Sequence, residues 1–209
     1  MTTGRPATQW GDRDQRRIDI LRSGEDLLRS GGYAALRMRD VADGAGISLG
    51  TVYTYFATKE NLFIGVFAEH VLRMTERLRP RLEEASDFVD VFTAAANEYR
   101  DGYPVFGRQF DALALVETAD ALQPAVEQGL RDATAGLIGA LGEALVRAGY
   151  EGDLRAAMAV LWSEVTGLAN HYTTERREFL DVSWDDAVAF AARTLGRGLG
   201  VVDPTEGRT

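Results

Sequence analysis

The chain has 209 residues, of which 23 are Lys or Arg, 32 are Asp or Glu, two are His and none is Cys. This length is typical of one domain or two small ones. The absence of cysteine excludes disulfide bonds, thiolate zinc sites and cysteine nucleophiles. No apolar run approaches the roughly 18 residues that a membrane span needs, so we expect a cytoplasmic protein with no membrane partner.

The spacing of apolar residues predicts an all-α protein of about nine helices, because apolar side chains recur three and four residues apart almost throughout. Gly31-Gly32 ends the first predicted helix, whereas Pro80 and Pro104 limit two later ones. Residues 1–13 are expected to form a flexible arm and residues 203–209 a disordered tail. In chain order, the predicted helices span residues 14–30, 38–45, 49–56, 59–79, 87–102, 107–118, 124–148, 153–177 and 183–198.

Charge is unevenly distributed between the two parts of the chain. Residues 1–60 carry nine basic and eight acidic residues, whereas residues 61–209 carry 14 basic and 24 acidic ones. Binding to nucleic acid depends on the local patch rather than on the net charge of the whole chain. A near-neutral head on an acidic body is therefore compatible with a small DNA-reading module.

The sharpest local pattern lies between Met38 and Phe56. A helix-turn-helix needs a small residue where the two helices cross and a residue that tolerates positive φ in the turn. Ala42 and Gly46 fill these places, and Ser48 can cap the second helix. Taken alone, the pattern fits two packed helices with a glycine turn about as well as a unit whose second helix enters the major groove. The residues expected to face outward from the second helix are Gly50, Thr51 and Tyr53.

The only lysine of the chain, Lys59, follows Thr58 at the predicted start of the next helix. A cation in the first turn opposes the helix dipole, at a cost of a few tenths of a kcal/mol, unless an anion lies nearby. Helix N-terminal amides and a lysine together form a clamp for phosphate. This position favours DNA binding over a purely structural pair of helices.

A longer ordered pattern is carried by five segments: Gly31-Gly32-Tyr33, Arg39-Asp40-Val41-Ala42, Ala45-Gly46-Ile47-Ser48, Gly50-Thr51-Val52-Tyr53-Thr54-Tyr55-Phe56 and Thr58-Lys59-Glu60-Asn61-Leu62. With these segments, residues 14–67 resemble the DNA-binding domain of the Tet repressor (TetR) family of bacterial transcriptional regulators. Residues 68–202 resemble the family only in kind, as a larger all-helical domain for ligand binding and dimerisation.

The resemblance implies that Tyr53 and Lys59 hold DNA phosphates. Tyr55 is the weakest implied contact, because helical spacing places it half-buried. Leu49 and Arg37 depart from the family pattern, since a basic or small polar residue and a capping Thr are common there, but Arg37 can itself reach a phosphate. The full set of implied DNA contacts is Ser48, Gly50, Thr51, Tyr53, Tyr55 and Lys59, with Arg37 as an addition.

Aromatic and polar residues interleave in the acidic body, as is usual for an apolar pocket with a few polar groups. For each residue alone, ordinary core packing is the commoner explanation. The candidates for ligand contact are Tyr99, Tyr103, Phe106, Phe110, Trp162 and His171.

The last two long helices carry broad stripes of apolar and small residues. By the resemblance to TetR, two such helices from each of two protomers would form a four-helix interface. A two-fold dimer of this kind places its recognition helices about one DNA turn apart on a near-palindromic operator. The candidate interface residues are Val160, Leu161, Glu164, Leu168, Val188, Ala192 and Leu195.

These patterns predict a homodimeric, sequence-specific repressor that a small hydrophobic molecule releases from its DNA operator. Two alternatives are an activator built from the same parts and a helical adaptor that binds only proteins. Two distant histidines, no cysteine and no glycine-rich phosphate loop after a strand offer little for catalysis. We therefore expect neither an enzyme nor a bound cofactor or metal.

Overall fold

The computed structural model describes the backbone of residues 9–114 and 122–202, and the side chains of residues 13–107 and 122–202. Within these ranges the chain is all-α, as predicted, with eight α-helices, one short 3₁₀ helix and no strand. None of these helices is both long and apolar enough to cross a membrane. The helices are α1 (Gln9–Ala35), α2 (Met38–Gly44), α3 (Leu49–Tyr55), α4 (Lys59–Glu84), α5 (Phe88–Ala114), α6 (Pro124–Arg147), α7 (Leu154–Tyr172), the 3₁₀ helix (Glu175–Phe179) and α8 (Trp184–Leu199).

The described residues fall into two compact units. The first unit extends to Glu69 and also takes in residues 122–131, whereas the second comprises residues 70–114 and 132–202. The division inside α4 lies two residues beyond the sequence-based boundary of 67/68. The inclusion of the start of α6 in the first unit was not predicted.

The first unit is held together by aliphatic and aromatic side chains from α1 to α4. Ile20, Val41, Val52, Leu62 and Phe63 are all fully buried, one or two from each helix. Burying a side chain of this size contributes roughly 1.5–3 kcal/mol. The apolar stripes predicted at helical spacing therefore define this core.

The glycine pair at the end of the first predicted helix breaks the helix as expected. Gly32 has φ +64° and ψ −163°, so the backbone leaves the helical conformation there although α1 is assigned as far as Ala35. The expected start of the helix was wrong, since α1 begins at Gln9 and residues 9–13 of the predicted arm are helical. Residues 1–8 and 203–209, where the rest of the arm and the tail were predicted, lie outside the described residues.

Two predicted helix ends at proline are also wrong. Both α4 and α5 continue past their prolines, Pro80 and Pro104. A proline inside a helix removes one backbone hydrogen bond. Burial of flanking side chains offsets this loss, because Leu78 and Leu82 flank Pro80 and are almost fully buried. The expected helix at 107–118 is thus the end of α5 as far as Ala114, and its remaining residues lie outside the described ones.

In the second unit α5 packs against α7 and α8. The indole Nε1 of Trp184 donates a hydrogen bond to Asn97 Oδ1 at 2.7 Å. The guanidinium of Arg100 lies over the Trp184 ring, 4.9 Å from its centre. The start of α8 is thereby fixed to the middle of α5.

Candidate nucleic-acid interface and ligand cavity

The turn between α2 and α3 has the conformation that its sequence predicts. Gly46 has φ +66°, a value that L side chains rarely adopt. The amide of Ile47 donates to the carbonyl of Ala42 at 3.0 Å, which closes the end of α2. Ala42 is buried, so its small side chain permits the close packing that the sequence indicated.

The first turn of α3 presents a polar, accessible edge. Ser48 caps the helix, because its Oγ accepts a hydrogen bond from the Thr51 amide at 3.1 Å and lies 2.8 Å from Thr51 Oγ1. Gly50 is exposed, and a Cβ placed there would meet nothing closer than 3.8 Å. The side chain of Tyr53 is 48% exposed, whereas Val52 on the opposite face is fully buried. No described residue of the first unit covers the edge formed by Ser48, Gly50 and Tyr53.

Tyr55 differs from the other implied DNA contacts. Its hydroxyl donates to the backbone carbonyl of Arg13 at 3.2 Å, which ties α3 to α1. Next to it, Phe56 is buried, with the Arg17 guanidinium 5.7 Å from its ring centre. This geometry gives Tyr55 a structural bond inside the unit, and its contact with DNA stays a prediction.

Lys59 is the first residue of α4, and its ammonium Nζ lies 3.9 Å from the centre of the Tyr33 ring. Burial lowers the pKa of Lys59, the nearby Glu60 carboxylate opposes this effect, and the positive charge of Arg37 adds to the lowering. Thr58 caps α4 by accepting from the Asn61 amide at 3.2 Å. A cation that is partly removed from water, near a second cation and the positive end of a helix, favours a bound anion such as phosphate.

Tyr33 received no role from sequence reasoning, although it belongs to the pattern after the glycine pair. Its hydroxyl donates to Glu60 Oε1 at 2.9 Å, and its ring meets Phe63 edge-on, with the ring centres 5.4 Å apart. Burial and the Glu60 carboxylate raise the pKa of Tyr33. Tyr33 therefore holds both of the first two side chains of α4, one on its face and one at its hydroxyl.

Arg37 lies at the N-cap of α2 with an extended backbone and makes no side-chain cap hydrogen bond. The departure from a capping Thr thus leaves α2 without a side-chain cap. The Arg37 side chain is exposed. It is available on the same unit as Lys59, and its contact with DNA stays a prediction.

The second unit contains an apolar cavity of about 50 Å³. Tyr99 is one of the lining residues, and its hydroxyl accepts a hydrogen bond from Thr166 Oγ1 at 3.4 Å. Among the described residues, no charged side chain lines the cavity. Its walls consist of Met74, Leu78, Phe88, Val91, Phe92, Ala95, Tyr99, Leu137, Leu141, Leu145, Met158, Leu161, Trp162 and Val165.

The structure brings only some of the predicted ligand contacts together. Tyr99 and Trp162 both line the cavity, with ring centres 5.0 Å apart. Tyr103 and Phe106 are buried but do not line it, and the Phe106 ring packs on His70 instead. His171 is exposed near the end of α7. The side chain of Phe110 lies outside the described residues.

The predicted dimer residues separate into three groups by their exposure. Val188 and Ala192 are 2% and 0% exposed within their own protomer, so this part of the predicted interface faces the protomer's own core. Leu161 lines the cavity, and Glu164, Leu168 and Leu195 are half-buried. Val160, by contrast, is 51% exposed. Helical periodicity identified the apolar stripe of α8 but could not distinguish an intramolecular partner from an intermolecular one.

These features define an all-helical protein with a helix-turn-helix near its N-terminus. The family model described as bacterial regulatory proteins, tetR family, matches residues 20–66. The HTH-type transcriptional regulator Mb3439c of Mycobacterium bovis is 30% identical over a match that covers 62% of this chain and 72% of the relative. The chain therefore belongs to the TetR family of bacterial regulatory proteins.

Other comparisons extend the likeness in sequence and in fold. The HTH-type transcriptional activator FasR of Mycolicibacterium smegmatis is 30% identical across 43% of this chain and 41% of the relative. The chain spans less than half the length of several curated relatives that it matches, FasR among them. The crystal structure of the transcriptional regulator FadR from Bacillus subtilis in complex with stearoyl-CoA has a TM-score of 0.58 at 17% identity, with 89% of this chain and 99% of that chain covered. At this identity the likeness to FadR concerns the fold alone. The proteins named as relatives are transcriptional regulators rather than enzymes.

Proposed function

We propose that this chain is a non-enzymatic, sequence-specific transcriptional repressor that binds a near-palindromic DNA operator as a homodimer and leaves it when a small hydrophobic molecule binds. The observation that carries the proposal is the open edge of α3 beside Lys59. Tyr53 is about half exposed on this edge, and the Lys59 ammonium lies at the first turn of the next helix. An exposed polar helix edge next to a partly desolvated cation suits a groove flanked by phosphates.

Within this proposal the residues of the first unit have distinct roles. Thr51 reaches a base edge or a phosphate from the first turn of α3, and Gly50 lets the backbone approach the sugar-phosphate chain. The Tyr53 hydroxyl donates to a phosphate oxygen, and Lys59 holds a second phosphate. Arg37 adds a charge contact from the start of α2.

The cavity of the second unit is the proposed ligand site. Its volume of about 50 Å³ is far below the several hundred Å³ of a typical ligand site, so a ligand must displace side chains on entry. Burying a charge without a partner is costly, and the described residues place no charged side chain on the walls. The part of the ligand that enters is therefore uncharged and apolar.

The homodimer is proposed to use the exposed faces of α7 and α8. On α7 this face includes Val160, and on α8 it includes Phe190, which is 68% exposed. Exposed large apolar side chains on adjacent long helices are typical of interaction surfaces. Val188 and Ala192 are excluded from this proposal because their own protomer buries them.

Activation instead of repression is the second candidate. It is favoured by the match to FasR, which is named as a transcriptional activator. The two modes share the DNA interface and the cavity and differ in which state binds the operator. A protein-only adaptor would leave the exposed edge of α3 and the position of Lys59 without a role.

Selection of genomic DNA fragments by the purified protein, followed by affinity measurements on the enriched site at two salt concentrations, tests the proposal. We expect sequence-selective, salt-sensitive binding with two protomers per site. Tyr53→Phe removes one hydroxyl and should weaken binding. Tyr150→Phe is the matched control, because its hydroxyl donates to the Asp153 carbonyl in the second unit. Equal binding of selected and random DNA by the wild type would refute DNA reading, and equal affinity of both variants would refute the role of Tyr53.

A further inference from the structure

The start of α6 is bonded to the turn between the recognition helix α3 and α4. Gln123 precedes Pro124 and caps α6, since its carbonyl accepts from the Val126 amide at 2.9 Å. Its side-chain Oε1 accepts from the Ala57 amide at 3.0 Å, just after the end of α3. Its own amide donates to Asn61 Oδ1 at 2.8 Å. One residue thus joins the cap of α6 to both sides of the α3–α4 turn.

Asn61 completes this arrangement from the first turn of α4. Its Nδ2 donates to Thr58 Oγ1 at 2.9 Å, while its Oδ1 accepts from Gln123. Asn61 is only 3% exposed. A buried amide whose donor and acceptor are both satisfied costs free energy when either partner is lost, so the bonded arrangement is strongly preferred over a broken one.

The other end of α6 lies at the cavity. The helix is continuous from Pro124 to Arg147, and its residues Leu137, Leu141 and Leu145 line the cavity walls. With a rise of 1.5 Å per residue, the first of these lies about 20 Å along the helix from Pro124. An occupant larger than about 50 Å³ must displace some of the cavity walls, which α6 shares with α4, α5 and α7.

We propose that Asn61 and Gln123 are positioning residues that transmit a displacement of α6 to the recognition helix. The inference rests on the proposed function and deepens it by naming the bonds through which cavity occupancy changes operator binding. A shift of α6 pulls on Ala57 through Gln123 and on α4 through Asn61. The pull changes the position of the α3–α4 turn and with it the orientation of Tyr53 and Lys59.

A double-mutant cycle between the cavity and the clamp formed by Gln123, Asn61 and Ala57 tests the proposal without a known ligand. Ala95 lines the cavity, and Ala95→Leu adds three carbon atoms that act as a permanent occupant. Gln123→Ala removes the acceptor for the Ala57 amide. The readout is the affinity of the full-length protein for the operator obtained by genomic selection. Gln128→Ala, which removes an exposed glutamine from the same helix, is the control.

We expect Ala95→Leu to weaken operator binding by about tenfold in the wild-type background and by less than about threefold when Gln123→Ala is also present. Gln123→Glu keeps an acceptor for the Ala57 amide, so in that background Ala95→Leu should again weaken operator binding by about tenfold. In the Gln128→Ala background the effect of Ala95→Leu should be the same as in the wild type. A merely structural bond would give additive effects. Additivity, or no effect of Ala95→Leu in either background, would overturn the proposal. Ala95→Val supplies the same comparison with a smaller side chain should Ala95→Leu not fold.

A failure of the proposed function and a failure of the clamp give different results. If the wild type prefers no DNA sequence, the proposed function is wrong. If the wild type binds its operator and the cycle is additive, the function stands and the clamp does not transmit the signal.

Discussion

Gly65 of α4 packs so closely against its neighbours that a side chain at this position should destabilise the first unit. A Cβ at this residue would lie 2.6 Å from Phe56 Cε1, 3.2 Å from Phe56 Cζ and 3.4 Å from Leu21 Cδ2. Ordinary carbon contacts are about 3.5–4.0 Å, and Phe56 is buried in the core, so its ring has to shift within the core to make room. We expect Gly65→Ala to incur an overpacking cost of about 1–3 kcal/mol in the free energy of unfolding.

The matched control is Gly136→Ala in α6, where a Cβ would meet nothing within 4 Å. Both substitutions gain about 1 kcal/mol because alanine is the better helix former, so their difference isolates the steric cost. Urea unfolding at one fixed protein concentration should give Gly136→Ala a free energy of unfolding about 1–3 kcal/mol above that of Gly65→Ala. Equal stability of the two variants would refute the reasoning that α4 packs directly on Phe56.

Three further changes have expected outcomes. Ser48→Ala removes the cap of α3 and should lower the free energy of unfolding, measured in urea, by about 1 kcal/mol. The control Ser163→Ala, at an exposed site inside α7, should not lower it. Lys59→Ala should weaken binding to all DNA sequences and reduce the slope of log affinity against log salt by about 1, and an unchanged slope would contradict the phosphate contact. Hydrogen bonds from the Ser86 hydroxyl and amide lower the pKa of Asp90. The stability that Asp90 contributes is therefore present above its ordinary pKa and lost as the pH falls through the lowered pKa. In urea unfolding at pH 7 the wild type should have a higher free energy of unfolding than Asp90→Asn, and the difference should shrink toward pH 3. A difference that persists at pH 3 would contradict this origin.

The local chemistry of the first unit could be predicted because short-range rules determine it. Positive φ at Gly46, the cap at Ser48 and the break at Gly32 each follow from a residue's own conformational preference or from a partner three residues away. The same rules failed at Pro80 and Pro104. There the intrinsic cost of proline is real, but burial of neighbouring side chains by distant parts of the chain outweighs it.

The cavity and the interface depend on which neighbour a helix face meets, and sequence spacing carries no such information. Tyr99 and Tyr103 are four residues apart on one face of α5, yet only Tyr99 lines the cavity. In the same way, Val188 and Val160 both belong to apolar stripes, but the first is buried in its own protomer and the second is exposed. Gln123 carried no sequence signal at all, because its partners lie more than 60 residues earlier in the chain.

If the cavity is the ligand site, as proposed, its small size sets how strongly a ligand can act. A molecule of ordinary ligand size does not fit into about 50 Å³, so it binds almost exclusively to a conformation in which the walls have moved apart. A ligand shifts an equilibrium only by its difference in affinity for the two states, and near-exclusive binding to one state makes that difference large. The same preference lowers the apparent affinity, because only the fraction of molecules whose cavity walls have already moved apart can bind the ligand. A ligand cavity that is this small before binding therefore favours a strong response to the ligand at the expense of apparent affinity.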